Sequence, residues 1–346
     1  MTIPTLIGIA VLSLIILTHE LGHFITAKLS GVKVEEFGMG FPPRLVSFQR
    51  GETRYSINVI PFGGFTKLSG EEDPDVPGSL AGKNRGIRLL VLGAGSMMNI
   101  LLALILFSAS YMFPRQVEVG QVEVVAIAPD SPAAFAGIET GDIILSVNTQ
   151  PVDSNDSLHQ HIMDNLGKET TLLIQSPDSA SREVSLIPRA EPPKDEGAVG
   201  IAIRTIKRYP LWQTIPMGAT ELFNAVIMWG TGLVSLFTGE ASGSVMGPVG
   251  LVQLTGEVAV YGPVPLLSLS ATISLILGIM NLFPLPAVDG GRITFLFLEW
   301  IRRGKRISPK AEGIVHLVGL GLLMLFLAAI TFQDIMRIIN GERFIP

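Results

Sequence analysis

The chain has 346 residues, 48 % of them hydrophobic and 16 % charged, with a net charge of −5 and a mean hydropathy of +0.48. That composition places it among membrane proteins with room for one soluble domain. The absence of Cys excludes structural disulfides, cysteine nucleophiles and thiolate metal sites, so any metal must be held by His and carboxylates.

The first apolar run, Pro4 to Ala27, is long enough at about 1.5 Å per residue to cross a hydrocarbon core of about 30 Å. It lacks a basic leader, and no small-x-small cleavage site precedes Lys28, so it reads as a retained span. Within it lie His19-Glu20-Leu21-Gly22-His23, and Glu20 is the only formal charge of the run. On a helix, positions i and i+4 share a face, so His19 and His23 can present two imidazole nitrogens to one ion with Glu20 beside a bound water. A chance match on a solvated helix is the bland alternative. It fits poorly here, because a carboxylate near a bilayer centre costs about 2.5–3.5 kcal/mol and marks a functional site.

Residues 28–88 carry Lys28, Lys33, Arg44, Arg50, Arg54, Lys67, Lys83, Arg85 and Arg88, which by the positive-inside rule puts them in the cytoplasm and the N-terminus outside. Thr53 to Lys67 alternates and ends in Pro61 and Gly63-Gly64, which predicts a hairpin over about 53–68. It reads equally as a surface ribbon or as an edge for an extended substrate. Leu89 to Phe113 is a second span, with Gly93, Gly95 and Ser96 for close packing and Asn99 facing the bundle.

Composition shifts at Pro114. From Arg115 to about Arg208 the sequence predicts a polar domain of short strands, with a helix over 153–166 whose His159 and His161 are expected to serve its surface or a groove rather than a metal. Residues 210–238 are apolar but carry Glu221 and Asn224; were they to cross, the later basic loop of Arg292, Arg302, Arg303, Lys305, Arg306 and Lys310 would lie outside. They are therefore expected on or partly in the outer interface, followed by an outer loop at 242–250. Leu266 to Pro284 is a third span and Ile314 to Phe332 a fourth, with His316 expected to snorkel or pack without polar partners.

Catalytic zinc commonly takes three protein ligands, so a third must come from elsewhere. Asp289, in Asn281-Leu-Phe-Pro284-Leu-Pro286-Ala-Val-Asp289-Gly290-Gly291, fits by depth: it follows about 20 residues of span, and His19 lies about 15 residues into its own. Pro284 and Pro286 break the helix before it, a geometry tolerated in a membrane only where it lines a cavity. Capping of the next helix is the other role open to Asp289.

Together HELGH, the strand-rich insert and NLFPLPAVDGG resemble the site-2 protease family of intramembrane zinc metalloproteases, most closely its bacterial single-PDZ branch, over nearly the whole chain. Residues 131–152, with Gly137-Ile138 and Gly141-Asp142, are similar to the core of a PDZ domain. The resemblance implies His19, His23 and Asp289 as zinc ligands, Glu20 as catalytic base, and Asn281, Pro284, Ile60, Gly63 and Gly64 as substrate-binding residues, 57–67 matching the family's membrane-reentrant β-loop. It implies a polytopic α-helical protein of the bacterial cytoplasmic membrane with about four transmembrane helices, a cytoplasmic-side β-hairpin and an inserted extracytoplasmic PDZ-like α/β domain. Its divisions would be 1–113, 114–209, 210–262 and 263–346, with both termini outside. Substrates would be single-span membrane proteins already trimmed by an earlier protease, such as anti-sigma factors or signal-peptide remnants, cut within the lipid bilayer; no nucleic acid is expected. The PDZ-like domain would exclude untrimmed substrates by its bulk or capture new peptide ends. Gly95-Ser96 departs from the Gly-Pro of many relatives. A non-catalytic scaffold binding through the PDZ-like domain, or an ion transporter, are the rival classes; the first would be favoured by loss of Glu20 or Asp289, and no paired internal repeat supports the second.

Overall fold

The chain begins with an unbroken helix, α1 (Ile3–Leu29), because Pro4 sits in the first turn, where a missing N–H costs nothing. Thr18 and Thr26 direct their hydroxyls back to the carbonyls of Leu14 and Gly22, so neither is left unpaired in an apolar helix. The computed structural model describes residues 3–177, 181–193, 196–207, 209–239 and 246–342. They form two units, 1–110 with 212–346 and 111–211.

In the first unit α1 is followed by two long strands, β1 (Val34–Arg50) and β2 (Thr53–Leu68), turning at Gly51. The hairpin expected inside 53–68 is thus corrected: 53–68 is one continuous strand whose antiparallel partner is 34–50. Pattern reading missed β1 because its second half carries no alternation in burial, every residue from Phe41 to Arg50 being exposed. Glu36 to Met39 each face two partners, one in 54–57 and one in 64–67, so the start of β1 lies between the two halves of β2. Glu36 is buried there and accepts from Arg44 at 2.9 and 2.6 Å and from Ser56 at 2.8 Å. The Arg44 bond, with its charge, holds the Glu36 carboxyl below the usual range.

Helix α2 (Arg85–Ser110) runs back along α1. Two glycines set the spacing of α1: an added Cβ would lie 2.4 Å from the Ala94 carbonyl at Gly22 and 2.3 Å from the Val252 carbonyl at Gly8.

The second unit holds β3 (Arg115–Ile127), α3 (Pro132–Phe135), β4 (Ile143–Val147), β5 (Gln150–Pro151), α4 (Asn155–Met163), β6 (Thr170–Gln175), β7 (Ser181–Leu186) and β8 (Ile201–Lys207). The strands make one sheet in the order β7-β6-β4-β3-β8, with β5 on β4. Val122, Val124, Ile144, Val147, Leu172 and Ile174 are fully buried at its centre, each contributing about 1.5–3 kcal/mol by leaving water. Gly137 and Gly141 adopt positive φ, and the buried Asp142 accepts from the Glu139 N–H and the Ser176 hydroxyl, which is why this turn reads Gly-Asp. Ser154 caps α4 in a capping box with Ser157.

The chain returns to the first unit through α5 (Leu211–Thr238), α6 (Pro248–Ala259), α7 (Pro263–Leu282), α8 (Asp289–Ile301) and α9 (Pro309–Ile339). Among the described residues, four helices, α1, α2, α7 and α9, are long and apolar enough to cross a membrane. Helix α5, expected on or partly in the outer interface, packs on α2 and α7, with Gly218 against Ser108, Ala225 in a cluster with Ala103, Phe107, Ala271 and Leu275, and Trp229 edge-on to Phe283 at 5.8 Å. The loop expected at 242–250 is helical from Pro248, and residues 240–245 lie outside the described residues. The N-terminus of α6 is met by the buried Asp334 of α9, which accepts from the Gly250 N–H at 2.7 Å.

Candidate metal centre

Residues 19 and 23 stand one turn apart on α1, and their Nε2 atoms are 3.2 Å from each other. Asp289 approaches from 270 positions away: its Oδ2 lies 3.0 Å from His19 Nε2 and 3.1 Å from His23 Nε2. Both histidines are buried. Atoms bound to one zinc at about 2.0–2.1 Å stand a little over about 3 Å apart at tetrahedral angles, so this triangle suits a zinc ion. The tautomer of His23 agrees. Its Nδ1 is 2.8 Å from the Val91 carbonyl, which can only accept, so the proton is on Nδ1 and the Nε2 lone pair points into the triangle.

Asp289 reaches this place because α7 ends at Leu282 and six irregular residues, 283–288, follow. It is the first residue of α8, where Val288 is the cap residue without a side-chain bond, so Asp289 does not cap its helix. The loop is held on several sides. Gly290 lets it close against the carbonyls of Leu282 and Phe283; Ala287 takes a left-handed φ of 75°, which costs about 1–2 kcal/mol, and its N–H donates to His316 Nδ1 at 3.0 Å. Pro286 packs on Gly319 of α9. His316, expected to snorkel or pack without partners, does pack, its ring 5.5 Å from that of Phe295, but it also has a polar partner and anchors the loop. The other end of α8 is pinned by Glu299, buried and 2.6 Å from Arg88, with Arg85 at 3.3 Å. Burial opposes the ionisation of Glu299, but the bonds and charges of these arginines outweigh it and hold its carboxyl below the usual range.

The face of α2 that meets the histidines is spaced by four: Val91 supplies the carbonyl, Gly95 passes beside both rings, and the fully buried Asn99 lies 3.4 Å from His19 Nδ1. A Cβ at residue 95 would stand 2.4 and 2.6 Å from the two Nε2 atoms. The sequence reading assigned Gly95 to packing and Asn99 to the bundle. Their i, i+4 spacing was the available signal, but nothing local says which helix a face meets.

Glu20 sits next to the triangle, close enough to interact electrostatically with His19, His23 and Asp289. Its backbone carbonyl accepts from the Thr66 hydroxyl at 2.9 Å, and a Cβ on Gly64 would lie 3.3 Å from its Cγ. The second half of β2 thus borders the site. Gly63 has a φ of 99° and no room for a side chain beside the Phe41 ring, while Ile60 is exposed opposite Phe41. Asn281, in the last turn of α7, is half-buried and makes no side-chain hydrogen bond among the described residues; Pro284 is exposed in the loop. Neither belongs to the triangle. His159 and His161 lie on α4, His161 3.3 Å from the Pro151 carbonyl.

Comparison with known proteins agrees with this chemistry. The description of peptidase family M50 matches residues 7–326. A Clostridium acetobutylicum protein bearing a zinc metalloprotease name is 34 % identical over 96 % of this chain and 98 % of its own. Zinc metalloprotease RasP of Oceanobacillus iheyensis is 30 % identical over 92 % of this chain and 96 % of its own. Among solved structures, the PDZ domain of the SdrC-like protein from Listeria monocytogenes is similar at 20 % identity and a TM-score of 0.22, covering 26 % of this chain and 93 % of that one.

Proposed function

The chain belongs to peptidase family M50 and is a membrane zinc metalloprotease, and we propose that it hydrolyses peptide bonds within the transmembrane segments of single-span membrane proteins that another protease has already trimmed. The observation that carries this reading is the convergence of His19, His23 and Asp289 beside Glu20 among helices apolar enough to span a membrane. In this reading the three residues hold the ion. A zinc ion held by them would supply Lewis acidity at the scissile carbonyl and at the attacking water. Glu20 takes the proton of the attacking water and passes it to the leaving amine. The Val91 carbonyl keeps the His23 imidazole oriented, and Gly95 keeps the approach to both rings clear of side chains.

A helical substrate shields its carbonyls and must unwind before attack. Residues 64–67 pair with β1 on one flank and, among the described residues, with no strand on the other. That flank, beside Glu20, can hold an extended segment by strand addition, with Ile60, Gly63 and Gly64 shaping its approach and with Asn281 at the end of α7 and Pro284 in the following loop as further substrate contacts. Charge asymmetry supports placing residues 28–88 in the cytoplasm, and the termini with the PDZ-like 111–211 unit outside.

The test is Glu20→Gln in the full-length enzyme. Zinc should remain at about one per chain while cleavage of a trimmed single-span substrate is abolished and that substrate accumulates in membranes. Substantial residual turnover by the purified variant would overturn the assignment of Glu20.

A further inference from the structure

On the reading that His19 holds zinc through Nε2, we propose that Asn99 is a positioning residue of the metal centre: its side-chain oxygen faces His19, accepts the Nδ1 proton and fixes the tautomer that leaves Nε2 free for the ion. Asn99 is completely buried on α2, and its backbone carbonyl accepts from the Ser274 hydroxyl at 2.8 Å, so its position is set from α7. The amide nitrogen is drawn 3.4 Å from His19 Nδ1, and Oδ1 is buried with no partner among the described residues. Oxygen and nitrogen of an amide have nearly the same shape, so which one faces the ring is a question of hydrogen-bond chemistry.

The chemistry selects the oxygen. A neutral imidazole that binds a metal through Nε2 carries its proton on Nδ1, and a buried N–H needs an acceptor. An NH₂ group opposite Nδ1–H sets donor against donor; Oδ1 in that place makes a hydrogen bond. Either orientation leaves one end of the amide without a protein partner, but only the turned one is compatible with a metal on Nε2. His23 shows the same arrangement in a form that cannot be turned, since a backbone carbonyl receives its Nδ1 proton. One face of α2 therefore supplies both acceptors, Val91 for His23 and Asn99 for His19, with Gly95 between them opening the space for the ion.

Chelator competition on the purified full-length protein tests this, comparing wild type with Asn99→Leu, Asn99→Asp and His19→Ala. Leu keeps the volume and removes the acceptor, so zinc affinity should fall about 10–100-fold, as for other lost outer partners of metal-bound histidines. Asp restores an acceptor and should hold affinity within a few-fold of wild type. A packing role alone gives the reverse order, with Leu tolerated and Asp not, and that result overturns the proposal. Should Asn99→Leu fail to fold, zinc-loaded wild type labelled with ¹⁵N-histidine decides: a protonated His19 Nδ1 supports the proposal and a bare one overturns it. If His19→Ala binds zinc as tightly as wild type, the ligand assignment fails and this proposal with it; if only the Asn99 results go the wrong way, the ligand assignment stands.

Discussion

The sheet of 111–211 and the metal triangle are built on opposite principles. In the sheet, all neighbouring strands but β3 and β8 follow one another closely in the chain, and Val122, Ile144, Leu172 and their companions fill one core by bulk. Such a core tolerates change in proportion to the volume removed. The triangle joins residues up to 270 positions apart and depends on absence of bulk, at Gly22, Gly95 and Gly290, where backbones or rings pass within the reach of a methyl group. The lesson is that the first region is graded in its response to substitution and the second is close to all-or-none.

The sharpest way to break that contrast is Gly95→Ala. The added methyl cannot coexist with both imidazoles as they stand, so zinc should be lost and proteolysis with it, whereas Gly93→Ala, which has nothing within 4 Å of its added Cβ, should bind zinc normally. Metal analysis of the two purified variants checks it; equal zinc content would show the centre to be far more compliant than described. Asp289→Ala comes next. Two imidazoles make an incomplete site, so zinc affinity and activity should fall together, and unchanged occupancy by the same measurement would mean another residue is the third ligand.

Smaller effects separate substrate holding from metal holding. Ile60→Pro removes a ladder donor from β2, and Asn281→Ala removes an amide with no partner among the described residues; both should lower cleavage of a trimmed substrate with zinc retained. Normal cleavage by both variants would place substrate binding elsewhere. The graded region is probed by Leu172→Ala, expected to cost about 2–5 kcal/mol in the unfolding of 111–211 while zinc content is unchanged. Deleting 121–205 extends that test: trimmed substrate should still be cut, and some untrimmed substrate admitted if the domain excludes by bulk. Failure to admit any untrimmed substrate would favour capture of peptide ends.

Much of this is legible in the sequence. Apolar length gave α1, α2, α7 and α9, because a membrane demands unbroken runs that a sequence displays directly. His19, Glu20 and His23 were legible from i, i+4 spacing, and Asp289 from matched depth and the prolines before it, since those arguments need only helix rise and chain direction. The strand-rich domain showed in its alternation and Gly-Asp turns.

What remained hidden depended on partners distant in the chain. The strand 34–50 carries no burial alternation in its second half and is defined only by its ladder with 53–68. The course of α5 follows from Gly218 meeting Ser108 and Trp229 meeting Phe283, contacts that neither segment encodes alone. His316 and Asn99 acquire their roles only when α9 brings a ring to Ala287 and α2 brings an amide to His19. The sequence by itself determined which residues could hold a metal and which helices are long and apolar enough to span; tertiary structure decided which backbone carbonyl, amide and glycine face that cluster. The reason is physical: periodicity fixes the face on which a side chain lies, but the face it meets is set by close packing between elements, where a single added methyl group decides whether two helices can approach.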